Sequence, residues 1–463
     1  MKGKIFEMLE KYINHRRISF SMPGHKNGKG IDGFWGDFDV TELEDTDSLH
    51  DSEGAVLAAC GKIAGIFSAD MSLIMVNGST GGIFTMLASV TKPGDEVLVS
   101  RTSHMSVINA CVVLGLSPVF FEHKICDEFS VAGGADIDDL KKKIDCGNIR
   151  AVLVTSPNYF GMVSDIKAIS RIAKEKNIPL LVDEAHGAHF IAGDFLPESA
   201  LSLGADMAVQ STHKTLNGLN QSAVLHVKAR LIDLDRVKAV SVFFQTSSPS
   251  YPIAASAENA ILEAAENGEA WRAVLKRCRK LKESLKEDTK IKMPDKNYFY
   301  DLDETRLTFN FSMYNVTGHE VSDILRLKYN IDAEMADGEN IVLIATPANS
   351  AEDFDALEEA LKGICSGLER VEKRKKPCVL PGLDKPEILP TEAFYGEGEW
   401  IAIEESLGRI SAVVVTVYPP GVPVLVPGAL IEEECIKYIM ECGGRVTGMK
   451  DGKIKVMKKG GEC

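Results

Sequence analysis

Positive charge is what this 463-residue sequence has least to spare: 52 lysines and arginines stand against 67 aspartates and glutamates, a net charge of −15. Nucleic acid and anionic membrane surfaces both attract basic patches, so neither is expected as the main partner. Long apolar runs are missing too. Nothing approaches 18 uninterrupted apolar residues and no basic-then-apolar leader opens the chain, so no membrane span and no secretory segment are expected. The ten cysteines are scattered singly without a CxxC pair, which reads as reduced thiols in a cytoplasmic protein. What remains, 45% hydrophobic and 26% charged, is ordinary for a globular chain long enough for two or three domains.

The stretch that carries the chemistry runs from Pro179 to Val227. Leu180-Leu181-Val182 ends in Asp183 and reads as a buried parallel strand with an acid at its carboxyl end. A second run, Asp206 to Val209, ends in Gln210-Ser211-Thr212-His213-Lys214. A carboxylate on one strand end and a lysine framed by hydroxyls and an imidazole on the next suit pyridoxal phosphate. Lys214 would hold the aldehyde as a Schiff base. Asp183 would pair with the pyridinium nitrogen and keep it protonated, so that the ring can accept electrons. Ser211 and His213 flank the lysine within reach of the phosphate. A surface lysine and a helix-capping aspartate are the plainer explanation of the same letters.

Upstream, the strand Ser72 to Asn77 runs into Gly78-Ser79-Thr80-Gly81-Gly82 and a helix from Ile83 to Val90. Glycines let the backbone approach an anion, hydroxyls donate to it, and helix-start N–H groups add partial positive charge. Ser79, Thr80 and Gly81 are therefore the phosphate donors, unless this is an ordinary strand-to-helix turn. His104 sits at the junction between the strand Glu96 to Ser100 and the next helix, where an imidazole can lie over a pyridine ring or simply serve as a structural hydrogen-bonder. His186 and His189 form an i,i+3 pair that could join a metal site. A third ligand is not evident and His186 is as well explained lining the pyridoxal pocket, so no metal is expected.

Strands are expected at Phe120 to Ile125 and Ala151 to Thr155, with helices at Met1 to Arg17, Gly54 to Phe67, Asp136 to Cys146 and Ser164 to Lys176. This alternation implies α/β architecture with a mainly parallel sheet. Val242 to Pro252 reads as a polar loop and Ala254 to Glu287 as one long helix bent at Asn267-Gly268. From Arg306 a compact α+β unit follows, its helix starts marked by Thr317 with Glu320 and Ser350 with Asp353. The charged run Arg370 to Lys376 is a linker. In the last unit, 404–412 reads as a helix end leading into the strand Val413 to Val417, and the proline-rich turns at Tyr418 to Pro423 and Pro427-Gly428 stiffen a loop that could shape a pocket rim.

Taken together, MPGHK at 22–26, the acidic run from Asp39, NGSTGG at 77–82, RTSHMS at 101–106, SPNYFG at 156–161, VDEAHGAHF at 182–190, STHKT at 211–215, TSSPSYP at 246–252 and YPPGVPVLVPG at 418–428 resemble the bacterial ornithine/lysine/arginine decarboxylase family of fold-type-I pyridoxal phosphate enzymes, in its small form without the N-terminal regulator-like domain. The resemblance implies an aspartate-aminotransferase-like large domain (41–253) with a mainly parallel seven-stranded sheet, an N-terminal linker (1–40), a bridging helix and small α+β domain (254–376) and a C-terminal α+β domain (377–463). It implies that Lys214, Asp183, His104 and His213 are catalytic, with His104 stacked on the ring, His186 against it, and Ser79, Thr80, Ser211 and His213 at the phosphate. It also implies a homodimer or higher oligomer with shared active sites, Thr246, Ser247 and Ser248 serving the neighbouring subunit. The implied reaction is decarboxylation of lysine, arginine or ornithine to the amine, with Lys214 or His213 returning a proton to Cα.

Two positions depart from the family pattern. Met105 stands where a lysine is usual, and Ala429 follows Pro427-Gly428 where a glutamate usually helps receive the distal amine of the substrate. Other reactions use the same cofactor. An aminotransferase would clamp the substrate carboxylate with an arginine, for which Arg306 is the candidate. A carbon–sulfur or carbon–carbon lyase and a catalytically silent pyridoxal-binding regulator are the remaining alternatives.

Overall fold

The computed structural model describes residues 2–15, 36–129, 131–296, 300–371, 380–418, 421–441 and 445–458. The MPGHK block, Pro419-Pro420 and the linker from Glu372 to Lys376 lie outside the described residues. The chain divides into two compact units, Met1–Val90 with Ala173–Gly268, and Thr91–Ile172 with Glu269–Cys463. The central strands form a mixed seven-stranded sheet in the order Met71–Met75, Ala223–Val227, Met207–Ser211, Leu180–Asp183, Ile149–Thr155, Glu96–Ser100, Ser117–Phe121.

In the first unit, helix Lys4–Asn14 buries Ile5, Leu9 and Tyr12, the i, i+4 stripe of a helix with one apolar face. Its start is capped from far along the chain. The Glu258 carboxylate accepts the N–H groups of Lys4 (2.7 Å) and Ile5 (3.0 Å), and Asn259 Oδ1 accepts that of Gly3 (2.8 Å). Asp47 likewise opens helix Ala55–Ile66, its Oδ2 accepting from Gly54 (2.9 Å) and Val56 (2.8 Å).

Leu180–Asp183 is buried along its whole length and pairs in parallel with Met207–Ser211, Asp183 standing opposite Val209. Ala223–Val227 is antiparallel to both of its neighbours. The reversal has a simple cause: between the turn of helix at Thr212–Thr215 and Ala223 there are too few residues for the crossover that a parallel pair requires.

The glycine-rich segment after Met71–Met75 is not a turn preceding a helix, as expected, but the first turn of helix Gly78–Val90 itself. Gly78, at φ +69, makes the bend. A Cβ on Gly82 would stand 2.4 Å from Val209 Cγ2, so a glycine there lets the helix rest on the Ser211 strand. The single long helix expected from Ala254 is two helices, Tyr251–Glu266 and Gly268–Asp288. Asn267 separates them, its N–H returning to Glu263 O, and a Cβ on Gly268 would meet Ala192 O at 2.6 Å.

In the second unit, Glu96–Ser100 pairs in parallel with Ser117–Phe121 and Ile149–Thr155. The strand expected from Phe120 to Ile125 is two strands. Ser117–Phe121 joins this sheet, while His123–Cys126 pairs with Val131–Ala135. Glu122 between them is drawn aside by Asp139, whose Oδ2 accepts its N–H at 2.9 Å.

Further along, Arg306–Asn310, Asn340–Ile344 and Met335–Ala336 make an antiparallel sheet. It packs with helices Gly318–Tyr329 and Ala351–Ser366 over Leu307, Phe309, Leu325, Ile341 and Leu361. Both helices open with complete capping boxes, Thr317 with Glu320 and Ser350 with Asp353. A last core gathers Val415, Val424, Leu425, Ile431, Ile454 and Val456. The helix end expected at 404–412 is only a 3-10 turn, Ile403–Glu405, because Gly408 (φ +72) swings the chain away and Ser411 bridges to Val456.

Candidate active site

The strand ends singled out by the sequence lie side by side. Asp183 is 4% exposed, and its Oδ1 accepts the N–H of Ala185 at 3.2 Å. One strand over, Ser211 ends Met207–Ser211, and the single helical turn Thr212–Thr215 presents His213 and Lys214, both half-buried. Lys214 Nζ lies 3.2 Å from Nε2 of His186, so the strand that carries Asp183 also delivers, three residues on, a partner for the lysine.

The turn is fastened from behind. Thr212 Oγ1 donates to Ser222 Oγ (2.6 Å), and His213 Nδ1 donates to Ser222 O (2.9 Å). Gly78, at the start of its helix, donates to Gln221 O at 2.8 Å, which brings the helix start beside the segment that follows Lys214. Ser79 is half-buried, Thr80 exposed and Gly81 buried. The first N–H groups of a helix find no acceptor within it, which makes this start suited to an anion.

Two buried hydroxyls point to a missing partner. Ser211 Oγ and Thr215 Oγ1 have none among the described residues. Unpaired buried polar atoms cost about 1–3 kcal/mol each, so a site that keeps them on the lysine turn is built to receive a polar ligand. A phosphorylated pyridine aldehyde fits that donor set: hydroxyls, an imidazole and a helix start for the phosphate, a carboxylate for the ring nitrogen and an amine for the aldehyde.

Thr246 and Ser247 are exposed, on a segment held by His50 Nε2 to Thr246 O (2.7 Å) and Gln245 Oε1 to the Val76 N–H (2.8 Å). The loop expected from Val242 begins as a 3-10 turn, Val242–Phe244, and ends where helix Tyr251–Glu266 starts. His104 belongs to the second unit, where it is the N-cap of helix Met105–Leu114, its Nδ1 accepting the N–H of Ser106 at 3.2 Å. That bond sets the ring's tautomer, with the hydrogen on Nε2. Arg306 is 1% exposed and opens the strand that pairs with Asn340–Ile344. Burial lowers its pKa, and the Asp303 carboxylate is the foremost charge countering that shift. Ala429 is buried, while Glu432, Glu433 and Glu434 beyond it are exposed.

The structure adds residues that the sequence reading passed over. Glu184 is 1% exposed and accepts from Ala200 N–H (2.7 Å), Ser199 Oγ (3.2 Å) and Gln210 Nε2 (2.7 Å). Burial pushes its carboxyl up to about 7 against these donors. The available signal was a polar letter inside an apolar strand, Gln210 in MAVQS and His226 in AVLHV. Among the described residues no group of three His, Cys, Asp or Glu could hold a metal ion, and no helix is long and apolar enough to cross a membrane.

The fold is shared with the lysine decarboxylase LdcF of Francisella novicida, at a TM-score of 0.84 and 20% identity over 99% of this chain and 81% of that one. A structure described as SPT with PLP also matches, at a TM-score of 0.58 and 14% identity over 78% of this chain and 83% of that one. The α/β fold defines the class, that of the fold-type-I enzymes. Residues 4–305 match the major domain of the Orn/Lys/Arg decarboxylases and residues 379–443 their C-terminal domain. The arginine decarboxylase of Bacillus subtilis (strain 168) is 33% identical over 474 residues, 98% of this chain and 97% of that protein. The chain belongs to the Orn/Lys/Arg decarboxylase family and is an amino-acid decarboxylase of that family.

Proposed function

We propose that the protein uses pyridoxal phosphate to decarboxylate a basic L-amino acid, releasing carbon dioxide and the corresponding amine. The observation that carries this reading is Asp183 at the end of one strand and Lys214 on the helical turn that follows the adjoining parallel strand, the lysine held against His186. Arginine has the broadest support as substrate. Arginine decarboxylases of Bacillus subtilis (strain 168) and Bacillus anthracis are 33% and 31% identical over 98% of this chain, whereas the constitutive lysine decarboxylase of Escherichia coli (strain K12) is 23% identical over 91%.

When bound, the cofactor supplies an electron sink for the pair left behind by the departing carboxylate. The chain's own groups do the rest. Asp183 would hold a proton on the ring nitrogen, and burial of its carboxylate would strengthen that charge pairing. Lys214 would hold the aldehyde through Nζ and, beside His186, would carry a proton for Cα. His213, with Nδ1 committed to Ser222 O, has Nε2 left for phosphate or proton transfer. Ser79, Thr80, Gly81 and Ser211 would bind the phosphate. The exposed Thr246 and Ser247 suit a role toward a neighbouring subunit in a homodimer or larger oligomer, and the scattered thiols suit the cytoplasm.

The test is borohydride reduction of the cofactor-treated protein, followed by peptide mass spectrometry. A reduced adduct on Lys214, with amine released from arginine, lysine or ornithine by the wild type and none by Lys214→Ala, is the expected result. No adduct at Lys214 overturns the cofactor assignment. An adduct without amine or carbon dioxide from any of the three overturns the reaction.

A further inference from the structure

Four polar side chains cross the first unit's strands in a buried row. Ser72 lies on Met71–Met75, His226 on Ala223–Val227, Gln210 on Met207–Ser211, and Glu184 follows Leu180–Asp183. None is more than 2% exposed. Ser72 Oγ is 2.8 Å from His226 Nδ1, His226 Nε2 is 3.2 Å from Gln210 Oε1, and Gln210 Nε2 is 2.7 Å from Glu184 Oε2.

The chemistry orders these bonds. Above about pH 7 Glu184 is ionised and only accepts, so Gln210 offers its amide N–H to Glu184 and keeps Oε1 for His226. His226 must then carry its hydrogen on Nε2, and Nδ1 accepts the Ser72 hydroxyl. Every donor along the row aims toward Glu184. Burial holds His226 neutral, its pKa pushed down to about 3, as that tautomer requires, and its ring packs on Phe67 with centroids 4.0 Å apart.

Side chains alternate across a strand, so Gln210 faces away from its neighbour Ser211, as Glu184 does from Asp183. The row therefore lies behind the site and ties together the two strand ends that carry it. Apolar residues could fill the same space at less desolvation cost. What a satisfied polar row adds is a fixed lateral registration.

Resting on the cofactor assignment above, we propose that Glu184, acting through Gln210, is a positioning residue that sets Asp183 and Lys214 at the separation pyridoxal phosphate requires. The row has one further property. In Glu184→Gln each bond can reverse: the introduced amide would donate to Gln210 Oε1, Gln210 Nε2 to His226 Nε2, and His226 Nδ1–H to Ser72 Oγ. A conservative variant therefore keeps the brace and switches a tautomer, whereas an apolar residue at 210 cuts the row in the middle.

The experiment titrates pyridoxal phosphate into apo protein by absorbance for wild type, Gln210→Leu and Glu184→Gln, with 15N spectra of histidine-labelled apo protein and kcat and KM beside them. Gln210→Leu is expected to weaken cofactor binding by about tenfold or more and to lower kcat with KM unchanged, the size of effect that loss of a charge-assisted hydrogen bond permits. Glu184→Gln is expected to bind within about threefold of wild type while the His226 hydrogen moves from Nε2 to Nδ1. A folded Gln210→Leu that binds within about twofold of wild type overturns the proposal. So does a folded Glu184→Gln that loses the cofactor or keeps the wild-type tautomer, and this arm decides the matter if Gln210→Leu does not fold. A wild type that takes up no cofactor sinks the assignment itself, a result distinct from an unaffected Gln210→Leu.

Discussion

Lys214 Nζ and His186 Nε2 stand 3.2 Å apart. The imidazole belongs to the segment that follows the Asp183 strand, so the lysine is held by the same piece of chain that supplies the carboxylate.

Removing either partner should have unequal effects. On the function proposed above, Lys214→Ala should lower kcat/KM by roughly 10³-fold or more, because it deletes the amine that would hold cofactor and proton. His186→Ala, which removes only the group that orients it, should cost about 10- to 100-fold in kcat. Steady-state assays of amine release check both, and equal losses would place His186 in the chemistry itself.

The buried row makes stability depend on pH in two opposed ways. His226, pushed from 6.5 down to about 3, stays neutral when folded. Below its ordinary value the unfolded chain gains a proton that the folded chain refuses, so stability falls as pH drops through that window. Glu184, pushed from 4.5 up to about 7, keeps its proton when folded, so stability falls as pH rises from 4.5 to about 7. Urea midpoints across pH 4 to 8 should show His226→Leu flattening the acid-side loss and Glu184→Gln flattening the other. Variant slopes parallel to the wild type would contradict both.

Glu258 is the cap of a helix more than two hundred residues away in sequence. Glu258→Ala strips the acceptors from Lys4 and Ile5 and should destabilise the fold by about 1–3 kcal/mol. The thermal midpoint and proteolysis near the first helix report it, and an unchanged cleavage rate there would argue against the cap. Enlarging Gly3 is no remedy, since its Cβ would stand 2.5 Å from that carboxylate.

Two helix glycines should answer to alanine with opposite sign. Gly82→Ala drives a methyl into Val209 and should cost about 1–3 kcal/mol. Gly61, in helix Ala55–Ile66, has nothing within 4 Å of a would-be Cβ, so Gly61→Ala should stabilise by roughly 0.5–1 kcal/mol. Denaturation midpoints of the two variants decide it.

The strand-end pair was legible because an apolar run that stops at an aspartate or before a lysine announces both a buried strand and the polar end it presents. Pairing choices were not. Nothing local in Phe120 to Ile125 says that residues before and after Glu122 join different sheets, since that depends on Val131–Ala135 and on Asp139. The break at Asn267 was read only as a bend, because the obstruction that demands Gly268 is the carbonyl of Ala192. Glu184, Gln210 and His226 were visible as polar letters in apolar surroundings, but hydrogen bonding among them needs the strand order, and Ala223–Val227 enters that order by a reversal. Thr317 and Ser350 lie at the other extreme, their caps spelled out within four residues.

The unit that carries Asp183 and Lys214 is assembled from two stretches of chain, Met1–Val90 and Ala173–Gly268. During synthesis its first stretch leaves the ribosome with its opening helix uncapped and its first strand, Met71–Met75, waiting for Ala223–Val227. Both needs are met only after Glu258 has emerged, so the first ninety residues wait through the synthesis of the intervening stretch before their own unit can close, an interval in which exposed apolar surface invites chaperones.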